Sequence, residues 1–206
     1  MTRPSRRAVL AGLAASAAAP AQAQALPEPQ AVPIELVEEA LESEAGIRLG
    51  SGGDVTMIEF FDTNCPACRR GAADLPALLA DRDITYVLMN FAVLGMPSVE
   101  AARVALGFFS LHGPEASLAL HRRLMALRGV VGAERALNAA LALGAEARAL
   151  VRAAESEAVA ARLRAALRIG ESLGLSVTPS LVVGPEAYAG DLTLAQKQAL
   201  AARTRS

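Results

Sequence analysis

Residues 55–68 read Val-Thr-Met-Ile-Glu-Phe-Phe-Asp-Thr-Asn-Cys-Pro-Ala-Cys, and the fold follows from this stretch. From Val55 to Phe61 the chain is almost wholly apolar and is bounded by Asp54 and Asp62, the pattern of a strand buried on both faces. Two cysteines follow at once, three positions apart, with Pro66 between them. Proline suits the first position of a helix, where its missing N–H costs no hydrogen bond. Cys65 and Cys68 are therefore expected at a junction from strand to helix. Ala67 to Ala80 has helical periodicity interrupted by Pro76, and Ile84 to Phe91 reads as a second strand. Strand, helix and strand within about forty residues make a βαβ unit.

On the N-terminal side, Ile34, Leu36, Val37, Ala40 and Leu41 recur at helical spacing, ahead of a turn at Gly50, Ser51, Gly52 and Gly53. On the C-terminal side, residues 98–174 carry no strand signal. Ser98 is a candidate N-cap for a helix ending near Gly113, Pro114 suits the start of the next, and Gly129, Gly132 and Gly144 punctuate the rest. Four or five helices packed through alanine and leucine are expected. Strand character returns at Ser180 to Val183, turns at Gly184 and Pro185, and gives a partner strand around Ala187 to Ala189 before a last helix from Thr193 to about Arg203. The expected division is a signal peptide at 1–23, a tether and helix at 24–53, a first α/β part at 54–95, an all-helical insertion at 96–174 and a second α/β part at 175–206.

The 206 residues are 53% hydrophobic but only 3% aromatic, which suits a helix-rich chain with a sizeable core and argues against disorder. A formal net charge of −1 offers no electrostatic footprint for nucleic acid, and that class is set aside. The N-terminus places Arg3, Arg6 and Arg7 before a short alanine-rich run ending in Ala21-Gln22-Ala23. Basic region, apolar region and Ala-x-Ala site spell an export signal. The Ser5-Arg6-Arg7 start is similar to a twin-arginine signal, with an ordinary secretory signal as the rival reading. A soluble periplasmic product is expected.

The only two cysteines lie in the exported part, so in an oxidising compartment they can pair with each other alone. So short a loop makes a poor structural staple. At a helix tip, unpaired N–H groups and the positive end of the helix dipole favour the Cys65 thiolate, with Arg69 and Arg70 as further positive charge. Cys65 is expected at the exposed tip, as nucleophile of a mixed disulfide, and Cys68 on the same helix face as the thiol that resolves it. The pair has two other readings: half of a zinc site, or two inert buried thiols. Zinc wants four ligands, and the only histidines, His112 and His121, are not spaced as partners. Neither a metal nor a cofactor is expected. Glu59, a carboxylate within an apolar strand, shares a face with Met57 and Phe61. Beneath the cysteines it would have a raised pKa and could exchange a proton with Cys68; alternatively it reaches solvent at the strand end.

Ile58 to Cys68, together with Val-Thr-Pro-Ser-Leu-Val-Val-Gly from Val177 to Gly184, resembles the DsbA-like family of thioredoxin-fold oxidoreductases. The segment from Asn90 to Ala105 looks like that family's entry into its helical insertion. The resemblance covers residues 53 to about 195. It implies a thioredoxin fold with a mixed central sheet split by the insertion, Cys65 and Cys68 as the redox pair, Glu59 as the buried acid and Pro179 as a cis-proline facing them. Thr178, Pro66 and Ala67 would meet the substrate backbone. Unfolded or cysteine-containing exported proteins are the implied substrates, with a membrane redox partner to recycle the enzyme. One departure is the Pro-Ala dipeptide, where strongly oxidising members carry Pro-His. An oxidase is expected, with a reductase or isomerase as the first alternative and a thiol-based metal-handling protein as the second. The short N-terminal helix is read as capping its own domain, which favours a monomer.

Overall fold

The computed structural model describes residues 25–205. The signal peptide read at 1–23 lies outside the described residues. The strands are β1 (Gln30–Ala31), β2 (Ile47–Gly50), β3 (Val55–Phe61), β4 (Ile84–Asn90), β5 (Ser180–Val183) and β6 (Glu186–Ala189). They form one six-stranded sheet in the order β1-β6-β5-β3-β4-β2. Strand β3 runs parallel to β4 and antiparallel to β5, which places the most apolar strand at the centre.

Alternation along β3 divides the core. Ile58 and Phe60 pack with α1 (Ile34–Glu42) and α7 (Glu157–Ser172), through Val37, Ala40 and Ile169. Met57 and Phe61 face the other layer, where α3 (Leu75–Leu79) and α8 (Leu194–Thr204) supply Leu75, Leu78 and Leu200. Glu59 therefore points into that second layer, under the helix that carries the cysteines. Between β4 and β5 the chain makes four helices, of which α4 (Met96–Met125), α5 (Ala133–Leu141) and α6 (Ala147–Ala154) share a core of their own built on Phe108, Leu120 and Leu150, while α7 packs on the sheet. Among the described residues no helix is long and apolar enough to cross a membrane.

Three points of local structure differ from the sequence reading. Strands β1 and β2 were not read from the sequence: β1 has two residues, and β2 shows its period only as buried Ile47 and Leu49 beside exposed Arg48 and Gly50. Ser98 is not an N-cap. Gly95 holds that position with φ 106°, a backbone open to glycine, and Ser98 sits inside the helix with its hydroxyl turned to Asp62. The break after the cysteines is the 3₁₀ turn Ala72–Asp74, with Pro76 in the first turn of α3 where its missing N–H is harmless. The break expected at Gly113 is present: α4 is two helices joined there, where a φ of 77° interrupts the spiral before Pro114.

Candidate active site

Helix α2 (Pro66–Gly71) starts directly after β3 and the loop 62–65, with Pro66 in its first turn and Cys65 as its N-cap. The Cys65 sulfur accepts the Cys68 N–H at 3.5 Å and donates its S–H to the Thr178 carbonyl at 3.1 Å. The two thiols thus lie on one helix face, with Cys65 held between the helix tip and the loop before β5. The Thr178–Pro179 peptide bond is cis, as the resemblance implies. That loop is fixed by Ser180 Oγ donating to Val177 O at 2.8 Å and by Gly190 N–H donating to Pro179 O at 2.8 Å. Cys65 is less open than the sequence reading has it: 6% of its surface is exposed, against 1% for Cys68. The loops packed around it, rather than the helix tip alone, set its access.

Those loops are tied together by polar side chains that sequence reasoning missed. Buried Asp62 accepts from the Asn64 N–H (2.7 Å), the Ser98 hydroxyl (2.7 Å) and the Leu94 N–H (2.9 Å). Asn64 donates to the Ser98 hydroxyl and the Val131 carbonyl, and its Oδ1 accepts from the Val131 N–H at 2.8 Å. The loop bearing Cys65 is in this way pinned to the helical insertion. Arg69 donates to the Thr63 carbonyl and to Asn64 Oδ1, and Arg70 pairs with Asp191 at 2.9 Å. Both arginines are committed to holding loops together, a role the expectation of a purely electrostatic contribution to Cys65 leaves out. The sequence signal for this network is thin, because Asp-Thr-Asn is also what an ordinary turn contains.

Glu59 is buried and does not reach solvent at the strand end. Its carboxylate accepts from the Tyr86 hydroxyl at 2.8 Å, across from β4. Burial raises its pKa, and the nearby Lys197 charge and the Tyr86 hydrogen bond act against that rise. Burial likewise pushes the Cys68 thiol up, opposed by a hydrogen bond with the Asp62 backbone and reinforced by the Cys65 and Glu59 charges. The Glu59 charge therefore disfavours the Cys68 thiolate. Among the described residues no group of three or more His, Cys, Asp or Glu side chains is placed to hold a metal ion.

A reduced Cys-x-x-Cys pair on a strand-to-helix junction, faced by a cis-proline loop on a sheet split by helices, defines a thioredoxin-fold dithiol site. The sequence profile of the thioredoxin family matches residues 43–201. A thioredoxin-like oxidoreductase from Silicibacter pomeroyi DSS-3 is 33% identical, with a TM-score of 0.73 over 79% of this chain and 94% of its own. A periplasmic thioredoxin-like protein from Salmonella enterica serovar Typhimurium (24% identity, TM-score 0.74, 85% of this chain and 98% of its own) has the same fold. So does the thiol-disulfide exchange protein alpha-DsbA2 from Wolbachia pipientis (20%, 0.74, 84% and 94%). No curated protein sequence matches the chain. The chain belongs to the thioredoxin family.

Proposed function

We propose that the protein is a periplasmic thiol-disulfide oxidoreductase that exchanges disulfides with exported proteins through Cys65-Pro66-Ala67-Cys68, running as an oxidase. The observation that carries this reading is the position of the Cys65 sulfur, shared between the Cys68 N–H and the Thr178 carbonyl. A substrate strand laid along residues 177–179 would bring its own sulfur to Cys65. Cys65 is then the nucleophile and Cys68 the resolving thiol. Glu59 exchanges a proton with Cys68, while Thr178, Pro179, Pro66 and Ala67 meet the substrate backbone. Exposed Leu94, Met96, Val130 and Val177 support an unfolded substrate. Leu94 and Val130 lie on loops bonded to the cysteine loop, Met96 opens α4 two residues after Leu94, and Val177 adjoins Thr178; apolar rims of this kind suit extended apolar chain segments.

In the oxidising direction a substrate thiolate attacks Cys65 of the disulfide form, Cys68 leaves as thiolate and takes a proton from Glu59, and a second substrate thiol releases Cys65. The two electrons left on the dithiol pass to a membrane redox partner. Export rests on the N-terminal Arg6-Arg7 signal, by the twin-arginine route. The Pro-Ala dipeptide, which lacks an imidazole beside Cys65, favours a second reading as a reductase or isomerase. Equilibration of the Cys65–Cys68 pair with glutathione separates the two, together with an assay of oxidative refolding of a reduced, unfolded substrate. A strongly reducing potential removes the oxidase reading. Turnover that survives Cys65→Ser removes Cys65 as the nucleophile, and absence of turnover in the unaltered protein removes the enzyme assignment altogether.

A further inference from the structure

The exchange chemistry proposed above brings one short strand of a substrate to Cys65 and leaves the rest of that chain without a seat. On the insertion side its first neighbours are Val93, Leu94 and Met96, all exposed, on and just after the loop that Asp62 bonds to the cysteine loop. At Ala92, two residues before Leu94, the same loop becomes one wall of a groove of about 210 Å³ between α4 and α7. The other walls are Val99 and Arg103 of α4 and Ala160, Leu163 and Leu167 of α7. Rim and groove are thus joined along residues 92–96.

Helical spacing builds this groove. Val99 and Arg103 are four apart on α4, and Ala160, Leu163 and Leu167 are three and four apart on α7, so each set forms one stripe. A different side of α7 is spent on the sheet, through Ala166 and Ile169. Leu167 is 39% exposed and contributes to none of the three cores. The space is smaller than the ~300–1,000 Å³ of a small-molecule site and is of a size for side chains of a bound polypeptide. One charge in it is left over. Arg103 is half-buried, and its guanidinium has no hydrogen bond or ion pair among the described residues. Glu100, one turn earlier on α4, is turned to the Ala133 N–H at 3.2 Å instead. Arg164, which also lines the groove, already has Glu157. An unpaired cation among apolar side chains is costly, and a carboxylate from outside would offset that cost.

We propose that the groove between α4 and α7 is a second docking site for the exported protein held at Cys65, taking an apolar side chain of that substrate together with a neighbouring carboxylate that pairs with Arg103. The proposal rests on the exchange reading and adds a preference to it, for substrates with an acidic-apolar pair at a set distance from the reacting cysteine. An apolar rim alone accepts any unfolded segment. A guanidinium without a partner beside an apolar stripe selects among them, because a basic residue brought to the same place meets Arg103 as a like charge.

The test mixes reduced peptides containing two cysteines with the disulfide form of the full chain after signal removal. Each peptide carries a Leu-Glu pair, a Leu-Lys pair or neither, the pair being stepped along the peptide on both sides of the cysteines. The half-saturating concentration and the limiting rate of peptide oxidation are read for wild type, R103E and L167S. At the best position, Leu-Glu should lower the half-saturating concentration of wild type about five-fold relative to Leu-Lys. R103E should reverse that order, a result that a damaged fold cannot produce. L167S should weaken both pairs without changing the limiting rate, and the loss should be confined to peptides that carry a pair. The proposal is overturned if no position favours Leu-Glu, or if R103E slows the peptides without a pair just as much. Self-association of wild type that R103E or L167S abolishes would assign the groove to a second copy of the chain and overturn it too. If wild type oxidises no peptide at all, the exchange reading fails, and serine analogues of the same peptides decide the groove separately. They should shift the Val99 and Leu163 methyl signals in NMR spectra, Leu-Glu at lower concentration than Leu-Lys; unmoved signals would overturn the groove as well.

Discussion

The Tyr86 hydroxyl donates to Glu59 at 2.8 Å in the middle of the sheet, between neighbouring parallel strands. Both groups are buried, so neither can exchange this bond for water. Tyr86→Phe leaves the packing and removes the donor. An unpaired buried polar group costs about 1–3 kcal/mol, and the loss should be larger above the Glu59 titration, where the carboxylate is ionised. Denaturant unfolding of Y86F at acid and alkaline pH measures both numbers. Equal losses at the two extremes would mean that the bond is made to the protonated acid.

Glu59 should shape the stability curve above pH 4.5. Burial raises its folded-state pKa above the unfolded value, so its contribution is fully present below the unfolded pKa and is lost as pH rises through the folded pKa. Glu59→Gln removes that loss. The variant is expected to be more stable than wild type at alkaline pH, by on the order of 1 kcal/mol, and not at pH 4. The same variant should slow mixed-disulfide resolution about a hundred-fold if Glu59 moves the Cys68 proton. A protein both more stable and slower is the signature of an acid kept for chemistry.

What the sequence revealed and what it hid divide along physical lines. Val55–Phe61 and the cysteine spacing were legible because a buried strand and a helix start each leave a dense local pattern. The return of the chain at Ser180–Val183 was legible for the same reason. Strands β1 and β2 were not, since two and four residues carry too little periodicity. Ser98 misled because a serine two residues into a helix looks like a cap until its partner is known. That partner, Asp62, is 36 residues away. Lys197 was invisible for a similar reason: a lysine on an amphipathic helix reads as a solvated face, and only the fold brings it to Asp74 across 123 residues.

Asp62 offers a direct test of how the insertion is attached. Its carboxylate satisfies donors from Asn64, Leu94 and Ser98, spanning the cysteine loop, the loop after β4 and α4. Asp62→Ala orphans all of them. A loss on the order of 3 kcal/mol is expected, together with faster amide hydrogen exchange at Asn64, Leu94 and Val131 and little change at the β5 and β6 amides. Uniform acceleration across the sheet would mean that the network supports the whole domain.

Acid should weaken the interface between insertion and sheet through His121. This side chain from the second half of α4 is buried and meets Phe61 edge-to-face, with ring centres 4.8 Å apart. Burial lowers its pKa from 6.5 to about 4. The folded protein therefore resists a proton that the unfolded chain accepts. The stability His121 provides is full above 6.5 and is lost as pH falls toward about 4. The loss amounts to on the order of 3 kcal/mol. Glu59 works in the opposite sense, since protonating it relieves a buried charge, so the measured slope in wild type is the smaller difference of the two. His121→Leu in the E59Q background removes both contributions and should leave stability nearly flat between pH 6.5 and 4. A slope as steep as that of E59Q alone would place the acid sensitivity in the exposed carboxylates instead.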